Sequence, residues 1–218
     1  MLNLEKNFFK KRILIYGLGK SGLSTYSFLK KSNAISLFDD RIIAKKKIKD
    51  SLTTYKEITK KEFDCIIISP GIDINKCKLS RFLKKNHKKI YTDLDIFYSR
   101  YAFNQKITIT GTNGKSTTAK LLYDILKDQK KDVRLVGNIG NPILLEKKIK
   151  KDTLFVIEAS SYQLEYSKLF KTNISIILNI TPDHLERHKT INKYVSAKFK
   201  LIKNQSKNDI AILNTKNF

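Results

Sequence analysis

The sequence predicts an α/β protein with two parallel sheets in two consecutive domains. Short apolar segments rich in β-branched residues alternate with amphipathic ones, and this alternation is typical of parallel strands joined by right-handed helical crossovers. Residues 92–105 look like a helix and linker between two such series, which predicts domains over residues 1–100 and 101–218. In each series, the first strand runs into a glycine-rich turn that opens a helix.

The first series contains four predicted strands, at residues 12–17, 34–39, 64–71 and 89–93. After the first strand, the turn from Gly17 to Gly22 has the G-x-G-x-x-G spacing of a dinucleotide-binding fingerprint, and Asp39 follows about twenty residues on, where an acid meets a ribose hydroxyl. These features predict a Rossmann-like domain that holds a diphosphate at a helix N-terminus. A nicotinamide-dependent dehydrogenase would show the same pattern, and so would a turn shaped only by close helix–strand packing.

The second series contains five predicted strands, at residues 106–110, 133–137, 153–159, 174–180 and 209–214. The loop "GTNGKS" follows the first of them and opens a helix, as in a P-loop, where lysine reaches the terminal phosphates and a hydroxyl binds Mg²⁺. Ile109 stands where the longer P-loop pattern has its first glycine, so only the shorter loop is present. The loop predicts an ATP site. Its binding residues are Gly111, Thr112, Asn113, Gly114, Lys115, Ser116 and Thr117.

The composition favours a globular protein with a very basic surface. The chain has 44 basic and 20 acidic side chains, a formal net charge of +24. Clustered positive charge is typical of nucleic-acid binding, but the lysines are scattered without an arginine stripe, which favours a solvated surface that attracts anionic ligands.

The cysteine count and the apolar runs bear on the cellular setting. The chain has only two cysteines, Cys65 and Cys77, too few for a disulfide framework or a zinc site. No apolar run is long enough for a signal peptide or a membrane span, so we expect a cytoplasmic protein without a membrane partner.

Several motifs together resemble those of the Mur ligases. They are "TGTNGKST" (110–117), "EASSYQLE" (158–165) and "LNITPDHLERH" (178–188), with "SPGI" (69–72) and "GNIG" (137–140) in the family's order. The resemblance runs from about residue 10 to the last residue. It implies a Rossmann-like first domain that holds the UDP part of a substrate rather than a nicotinamide, followed by the N-terminal part of a truncated, ATP-binding P-loop central domain.

The resemblance also implies a reaction. The chain is most similar to the ligases that join D-glutamate to UDP-N-acetylmuramoyl-L-alanine for peptidoglycan precursor synthesis, with ATP and Mg²⁺, through an acyl phosphate. Family members continue for another domain and a half, so we expect a fragment with little activity alone, or one that acts with a separate C-terminal half. Its last predicted strand should then lie at an exposed sheet edge.

Two alternatives to this function remain. Folylpolyglutamate synthase is a weaker alternative among enzymes, and a non-catalytic nucleotide- or nucleic-acid-binding protein is the alternative that is not an enzyme.

By the same resemblance, residues in the second domain would carry the chemistry. The catalytic residues would be Lys115, Lys198 and His184, and the metal ligands would be Ser116, Glu158, His184 and Lys198. Glu158 ends a buried strand, where an acid is costly unless it is paired or metal-bound. Lys198 would be carbamylated by CO₂, which requires a neutral amine with a lowered pKa. Lys200 replaces it if the register slips. His188 and His87 are expected at the surface.

The resemblance assigns the remaining residues to the substrate. They are Lys20, Ser21, Asp40, Arg41 and Gly71 for the UDP portion, and Asn138, Ser160 and Gln163 for the muramoyl-alanine portion. The segment "FDDR" leaves open whether Asp39 or Asp40 faces the uridine. Ordinary turn and strand-end hydrogen bonding is the structural alternative for Asn138, Ser160 and Gln163.

Overall fold

A computed structural model of the chain describes residues 7–41, residue 48 and residues 51–214. The chain divides into two compact units, Met1–Arg100 and Tyr101–Phe218. Each unit contains one sheet, and every pair of neighbouring strands in both sheets is parallel. The α/β class predicted from the alternation of strands and helices is confirmed.

The first unit has four strands and four α-helices among its described residues. The strands are β1 (Arg12–Tyr16), β2 (Ala34–Phe38), β3 (Cys65–Ile68) and β4 (Ile90–Tyr91). The helices are α1 (Lys20–Leu29), α2 (Tyr55–Lys60), α3 (Ser80–Lys85) and α4 (Asp93–Arg100). All four predicted strands are present. β3 ends before Ser69 and Pro70, earlier than predicted, and Ser69 turns its Oγ to donate to the carbonyl of Gly17 at 2.7 Å.

The strand order of the first sheet is β2-β1-β3-β4. The chain leaves β1 toward β2 and leaves β3 toward β4, so the crevice where α/β proteins bind ligands lies between the carboxyl ends of β1 and β3. Close packing shapes the turn at that crevice, because a Cβ on Gly22 would lie 1.8 Å from the carbonyl oxygen of Gly17. A Cβ on Gly19 would meet nothing within 4 Å.

The second unit has five strands and four α-helices among its described residues. The strands are β5 (Lys106–Thr110), β6 (Val133–Gly137), β7 (Leu154–Glu158), β8 (Ile174–Ile177) and β9 (Ile210–Leu213). The helices are α5 (Lys115–Asp128), α6 (Ser161–Glu165), α7 (Leu185–His188) and α8 (Ile191–Lys203). Across the described part of the chain, no helix has the length and apolar character needed to cross a membrane.

The strand order of the second sheet is β6-β7-β5-β8-β9. The central strand β5 leads toward β6 on one side, whereas β8 leads toward β9 on the other, so the ligand crevice lies between β5 and β8. Ile109 of β5 and Ala119 of α5 belong to one buried apolar cluster, which anchors the strand and the helix on either side of the glycine-rich loop. β9 lies at the edge of the sheet with all four residues exposed.

Candidate nucleotide-binding site

The glycine-rich loop of the second unit joins the central strand β5 to helix α5. Gly111 and Gly114 both have positive φ angles, of 154° and 81°, which side-chain-bearing residues rarely adopt. A Cβ on Gly111 would also lie 3.1 Å from the Cβ of Leu178, in the loop that follows β8. The backbone thus needs glycine at both positions. It brings the loop to the N-terminus of α5, where unsatisfied N–H groups and the helix dipole favour a phosphate.

Two lysines meet the carbonyl groups of this loop. Lys115 Nζ donates to the carbonyl of Thr112 at 2.7 Å, and Lys198 Nζ donates to the carbonyl of Gly111 at 2.7 Å. Lys198 is buried, and its ammonium lies 4.5 Å from the centre of the Tyr194 ring. Burial, and then repulsion from Lys115, lower the pKa of Lys198 to about 7. Positive charge is therefore concentrated around the loop, and one of the two lysines gives up its proton easily.

A serine and a buried carboxylate meet at the start of α5. Ser116 Oγ donates to Glu158 Oε2 at 2.8 Å, and Asn138 Nδ2 donates to Glu158 Oε1 at 2.9 Å. Glu158 is the last residue of β7 and is 1% exposed. Gly137, the last residue of β6, allows the end of this strand to lie close to the end of β7, because a Cβ on Gly137 would lie 2.2 Å from the Glu158 carbonyl oxygen. Three sequence-predicted residues, Ser116, Asn138 and Glu158, are thus brought together.

The Ser116–Glu158 pair has the donor chemistry of a Mg²⁺ site. Mg²⁺ prefers oxygen ligands and is commonly bound through one or two carboxylates, with phosphate and water completing its shell. Both oxygens of Glu158 accept from neutral donors, and within the described ranges no group of three or more His, Cys, Asp or Glu side chains could hold a metal by itself. The residues present therefore fit an ion that a nucleotide phosphate helps to bind, rather than a cage made only of protein ligands.

His184 lies apart from that pair. It adopts a left-handed backbone conformation, with φ 54°, and its ring contacts that of Tyr162 in a tilted arrangement, with the centroids 4.7 Å apart. Its nitrogens lie 3.4 Å from Asp183 and 3.7 Å from Glu186. A non-glycine residue held at positive φ is strained, and such strain is enriched at functional sites. The role of His184 as a metal ligand stays a prediction.

His188 is not at the surface, contrary to the sequence-based expectation. It is buried, and its Nε2 lies 3.0 Å from Ser161 Oγ. Burial lowers the pKa of His188. The sequence alone did not indicate this, because the partner serine is 27 residues away and is brought close by the packing of both α6 and α7 against α8. His87 is exposed, as expected.

The predicted pair Ser160 and Gln163 forms the N-terminal cap of α6. Ser160 Oγ accepts from the backbone N–H of Gln163 at 3.3 Å, and Gln163 Oε1 accepts from the backbone N–H of Ser160 at 2.9 Å. Such a reciprocal cap satisfies two helix N–H groups. The local hydrogen bonding proposed as the structural alternative is therefore present, and substrate contact by these residues stays a prediction.

The predicted UDP-binding residues of the first unit follow the carboxyl ends of β1, β2 and β3. Three of them are exposed, namely Lys20, Arg41 and Gly71. Ser21 Oγ donates to Asp93 Oδ2 at 2.5 Å. Burial raises the pKa of Asp93.

Both candidate acids after β2 make hydrogen bonds within the first unit. Asp39 accepts from the backbone N–H of Leu18 at 2.6 Å, which ties it to the glycine-rich turn. Asp40 accepts from the Tyr16 hydroxyl at 2.6 Å, and its carbonyl accepts from Lys78 Nζ at 2.7 Å. Either acid could meet a ribose at this crevice, so the choice between Asp39 and Asp40 stays open.

Sequence reasoning missed the residues that hold the glycine-rich loop from outside. Asn179 accepts hydrogen bonds from the backbone N–H groups of Thr112 and Asn113. The Thr112 hydroxyl meets the backbone of Thr181 and lies 3.1 Å from the Tyr194 hydroxyl. Asn179 and Thr181 stand within the motif "LNITPDHLERH", but spacing and periodicity gave neither of them a role.

Two family models match the chain in consecutive segments. The model described as the Mur ligase MurD-like N-terminal domain matches residues 11–90, and the Mur ligase middle domain matches residues 109–218. Among curated proteins, the UDP-N-acetylmuramoylalanine–D-glutamate ligase of Rickettsia bellii is 35% identical over 213 residues, covering 95% of this chain and 47% of that protein. The protein of the same name from Caldicellulosiruptor bescii is 37% identical, covering 95% and 48%. The chain therefore spans about half the length of these relatives.

Solved structures show the same fold at low sequence identity. The UDP-N-acetylmuramate:L-alanyl-gamma-D-glutamyl-meso-diaminopimelate ligase from Neisseria meningitides matches with a TM-score of 0.60 and 14% identity, covering 95% of this chain and 72% of that one. The UDP-N-acetylmuramate-alanine ligase MurC from Thermotoga maritima matches with a TM-score of 0.53 and 19% identity, covering 95% and 50%. At this identity, the likeness concerns the fold alone.

Proposed function

This chain belongs to the Mur ligase family, and from that premise we propose that it is the nucleotide-binding half of a ligase that joins D-glutamate to UDP-N-acetylmuramoyl-L-alanine. The reaction consumes ATP in the synthesis of peptidoglycan precursor. The specific substrates rest on the relatives that carry this activity in their names and that are 35% and 37% identical to the chain. The Rossmann-like unit, residues 1–100, would hold the UDP portion, and residues 101–218 would hold ATP.

The observation that carries the proposal is the 2.8 Å contact between Ser116, at the start of α5, and the buried carboxylate of Glu158. A bound Mg²⁺ would neutralise charge on the terminal phosphates of ATP. Ser116 and Glu158 would hold that ion, and Lys115 would leave the Thr112 carbonyl to meet the transferred phosphoryl group. The substrate carboxylate would take this group with loss of ADP, and the amine of D-glutamate would then displace phosphate to form the amide bond.

Lys198 would act as a carbamate in this reaction. The neutral amine of Lys198 would attack CO₂, forming an N–C bond and releasing one proton to water, so that a cation becomes a carboxylate-like ligand. The burial of Lys198 beside the loop supports the proposal. Lys200 is the weaker alternative, because its Nζ donates to the Glu165 carbonyl, between α6 and α8. His184 would complete the catalytic set.

The second sheet has an open edge that a partner could cover. β9 presents exposed apolar side chains at an open sheet edge, with Ile210 55% and Ile212 50% exposed. Such an edge is normally covered. We propose that a separate C-terminal half can supply that cover together with the site for D-glutamate. A reducing, cytoplasmic setting belongs to the same proposal, and the free thiols of Cys65 and Cys77 are consistent with it.

The test is phosphate release from Mg-ATP by the purified chain, with and without UDP-N-acetylmuramoyl-L-alanine plus D-glutamate. We expect the chain to bind Mg-ATP but to release little phosphate. A Lys115→Met variant should lose nucleotide affinity. Phosphate release at a normal rate that requires both substrates would overturn the view that a further half is needed. No affinity of the wild-type chain for Mg-ATP would contradict the proposed nucleotide site.

The net charge of +24 favours one other function, non-catalytic binding of nucleic acid. A salt titration separates the two proposals. Affinity for a polyanion depends on released counterions and falls steeply with salt. Binding of ATP at the Ser116–Glu158 pair should instead depend on Mg²⁺. Tight, salt-sensitive binding of a mixed-sequence RNA, without Mg²⁺-dependent ATP binding, would favour the nucleic-acid function.

A further inference from the structure

One side chain from the loop after β8 holds two consecutive peptide groups of the glycine-rich loop. Asn179 Oδ1 accepts from the backbone N–H of Thr112 at 3.2 Å and of Asn113 at 2.9 Å, and Asn179 Nδ2 donates to the Asn113 carbonyl at 3.1 Å. The Asn179 carbonyl also accepts from Thr112 N–H at 2.9 Å. A carboxamide is the only common side chain of this size that can both accept and donate in this way.

The side chain of Thr112 provides a second attachment to the same region. Its hydroxyl accepts from the Thr181 N–H at 3.0 Å and donates to the Thr181 carbonyl at 3.2 Å. The Tyr194 hydroxyl, 3.1 Å away, can donate to the same oxygen. The segment after β8 therefore holds the glycine-rich loop at two points. Asn179 holds its backbone, and Thr181 holds the side chain of Thr112.

These contacts decide which groups of the loop can meet an anion. The N–H groups of Thr112 and Asn113 point to Asn179 and are unavailable to phosphate. The Gly111 carbonyl, which would repel phosphate, accepts from Lys198. The first helical hydrogen bond of α5 runs from the Thr118 N–H to the Gly114 carbonyl, so the N–H groups of Lys115, Ser116 and Thr117 lie ahead of the helical ladder. Phosphate would then meet those helix N–H groups, while the Gly111 carbonyl stays turned to Lys198.

We propose that Asn179 is a positioning residue that presets the glycine-rich loop in its phosphate-binding shape. The inference rests on the proposed nucleotide site but concerns a residue that touches neither nucleotide nor reacting atoms. It acts through Thr112 and Asn113. Aspartate could not replace it, because an oxygen in place of Nδ2 would face the Asn113 carbonyl 3.1 Å away and would bring negative charge beside the phosphates.

Asn173, at the other end of β8, offers a matched control. Its Oδ1 accepts from the backbone N–H of Lys106 at 3.0 Å, so it also fixes β5 through a side-chain amide, but far from the loop. The experiment compares Asn179→Ala, Asn179→Asp and Asn173→Ala in the 218-residue chain. Affinity for Mg-ADP is measured by calorimetry, thermal unfolding is followed in parallel, and amide hydrogen exchange is measured at Thr112 and Asn113.

We expect Asn179→Ala to weaken Mg-ADP binding about tenfold and Asn179→Asp to weaken it more, whereas Asn173→Ala leaves the affinity within about twofold. Hydrogen exchange at Asn113 should accelerate in Asn179→Ala and not in Asn173→Ala, whereas Thr112 keeps its bond to the Asn179 backbone carbonyl and serves as the internal reference. Unchanged affinity and unchanged exchange in Asn179→Ala would overturn the proposal, as would an equal loss of affinity in Asn173→Ala. If the wild-type chain bound no nucleotide while exchange still depended on Asn179, the proposed function would fail and the loop-setting role would stand.

Discussion

Glu158 illustrates how a single buried residue combines stability and function. It ends β7 with one hydrogen bond to each carboxylate oxygen, from Ser116 and Asn138, both of them neutral donors. A buried anion without an opposite charge costs free energy that neutral donors offset only in part. A residue of this kind is therefore suited to a bound cation, and its replacement should affect metal-dependent binding more than folding.

We expect Glu158→Gln to remove the Mg²⁺ dependence of ATP binding. The amide preserves the size of the side chain and can still bond Ser116 and Asn138, so thermal unfolding should change little. Affinity for ATP should fall about tenfold in Mg²⁺ and stay the same in EDTA, measured by calorimetry. The control is Glu146→Gln, because Glu146 also accepts from an asparagine, Asn141 at 2.7 Å, but its charge is paired with Arg134 at 3.3 Å and so does not call for a metal ion. Equal Mg²⁺ dependence in wild type and Glu158→Gln would contradict the assignment.

The burial of Lys106 leads to a second prediction at the scale of a residue, which concerns how the free energy of unfolding depends on pH. Lys106 is buried at the start of β5, and its ammonium donates to the carbonyls of Ala102 and Asn104. Burial, and then repulsion from Lys171, lower the pKa of Lys106 to about 7. In the unfolded chain, the amine of Lys106 keeps its proton until the pH reaches the ordinary pKa of a lysine. Between about pH 7 and 10, the unfolded state therefore binds more protons, and the free energy of unfolding rises with pH.

Lys106→Met should remove this contribution. The slope of the unfolding free energy against pH, measured by urea denaturation between about pH 7.5 and 9, should fall by up to about 1.4 kcal/mol per pH unit. Lys198 contributes a rise in the same window, since its pKa is also lowered to about 7, so the slope should not vanish. Lys151→Met, at an exposed position, should leave the slope unchanged. An unaltered slope in Lys106→Met would show that its amine is charged in the native state.

At the scale of elements, the first βα turn depends on close packing at two of its glycines and not at Gly19. Gly22 lies in α1 directly over the carbonyl of Gly17, whereas Gly19 faces open space. Packing therefore explains both Gly17 and Gly22, since a Cβ on Gly17 would lie 2.8 Å from the Cβ of Ser69, whereas no atom within 4 Å restricts Gly19. We expect Gly19 to be the position of the motif that serves a ligand.

Gly22→Ala should destabilise the first unit, by about 3 kcal/mol, because the added methyl group cannot be accommodated against the backbone of Gly17. Gly19→Ala should leave the unfolding temperature nearly unchanged and instead weaken the binding of UDP. Differential scanning calorimetry and a UDP titration on both variants check this pair of outcomes. Equal unfolding temperatures for the two variants would refute the packing argument.

At the scale of the whole molecule, β9 leaves the second sheet with an exposed apolar edge. Strand edges of this kind pair with other chains unless something covers them. We expect the isolated chain to self-associate, and Ile212→Lys to reduce this without loss of folded structure, since the residue is half exposed and solvent can take the charge. Sedimentation velocity at several concentrations measures the effect.

A matched control for β9 is Leu121→Lys, which places the same charge at an exposed apolar residue of a helix. Leu121 is 59% exposed and belongs to helix α5 rather than to a strand. If both variants reduced self-association equally, general surface charge would be responsible. A selective effect of Ile212→Lys would identify the edge of β9 as the contact.

The sequence by itself determined the α/β class, the nine strands found among the described residues and the two glycine-rich turns. It could do so because these features depend on neighbours in the chain: β-branched apolar runs favour strands, and the positive φ angles of Gly111 and Gly114 require glycine. Strand ends were less certain, because a residue such as Ser69 leaves β3 to bond a carbonyl 52 residues away.

The burial of His188 and the hold of Asn179 on the glycine-rich loop were decided by tertiary packing. Asn179 and Asn113 are 66 residues apart, and they meet only because β8 pairs with β5. The hydrophobic periodicity of a single segment does not indicate which strands will be its neighbours in the sheet. Side chains that act across neighbouring strands therefore become visible only when the sheet is assembled, since their partners come from distant parts of the chain.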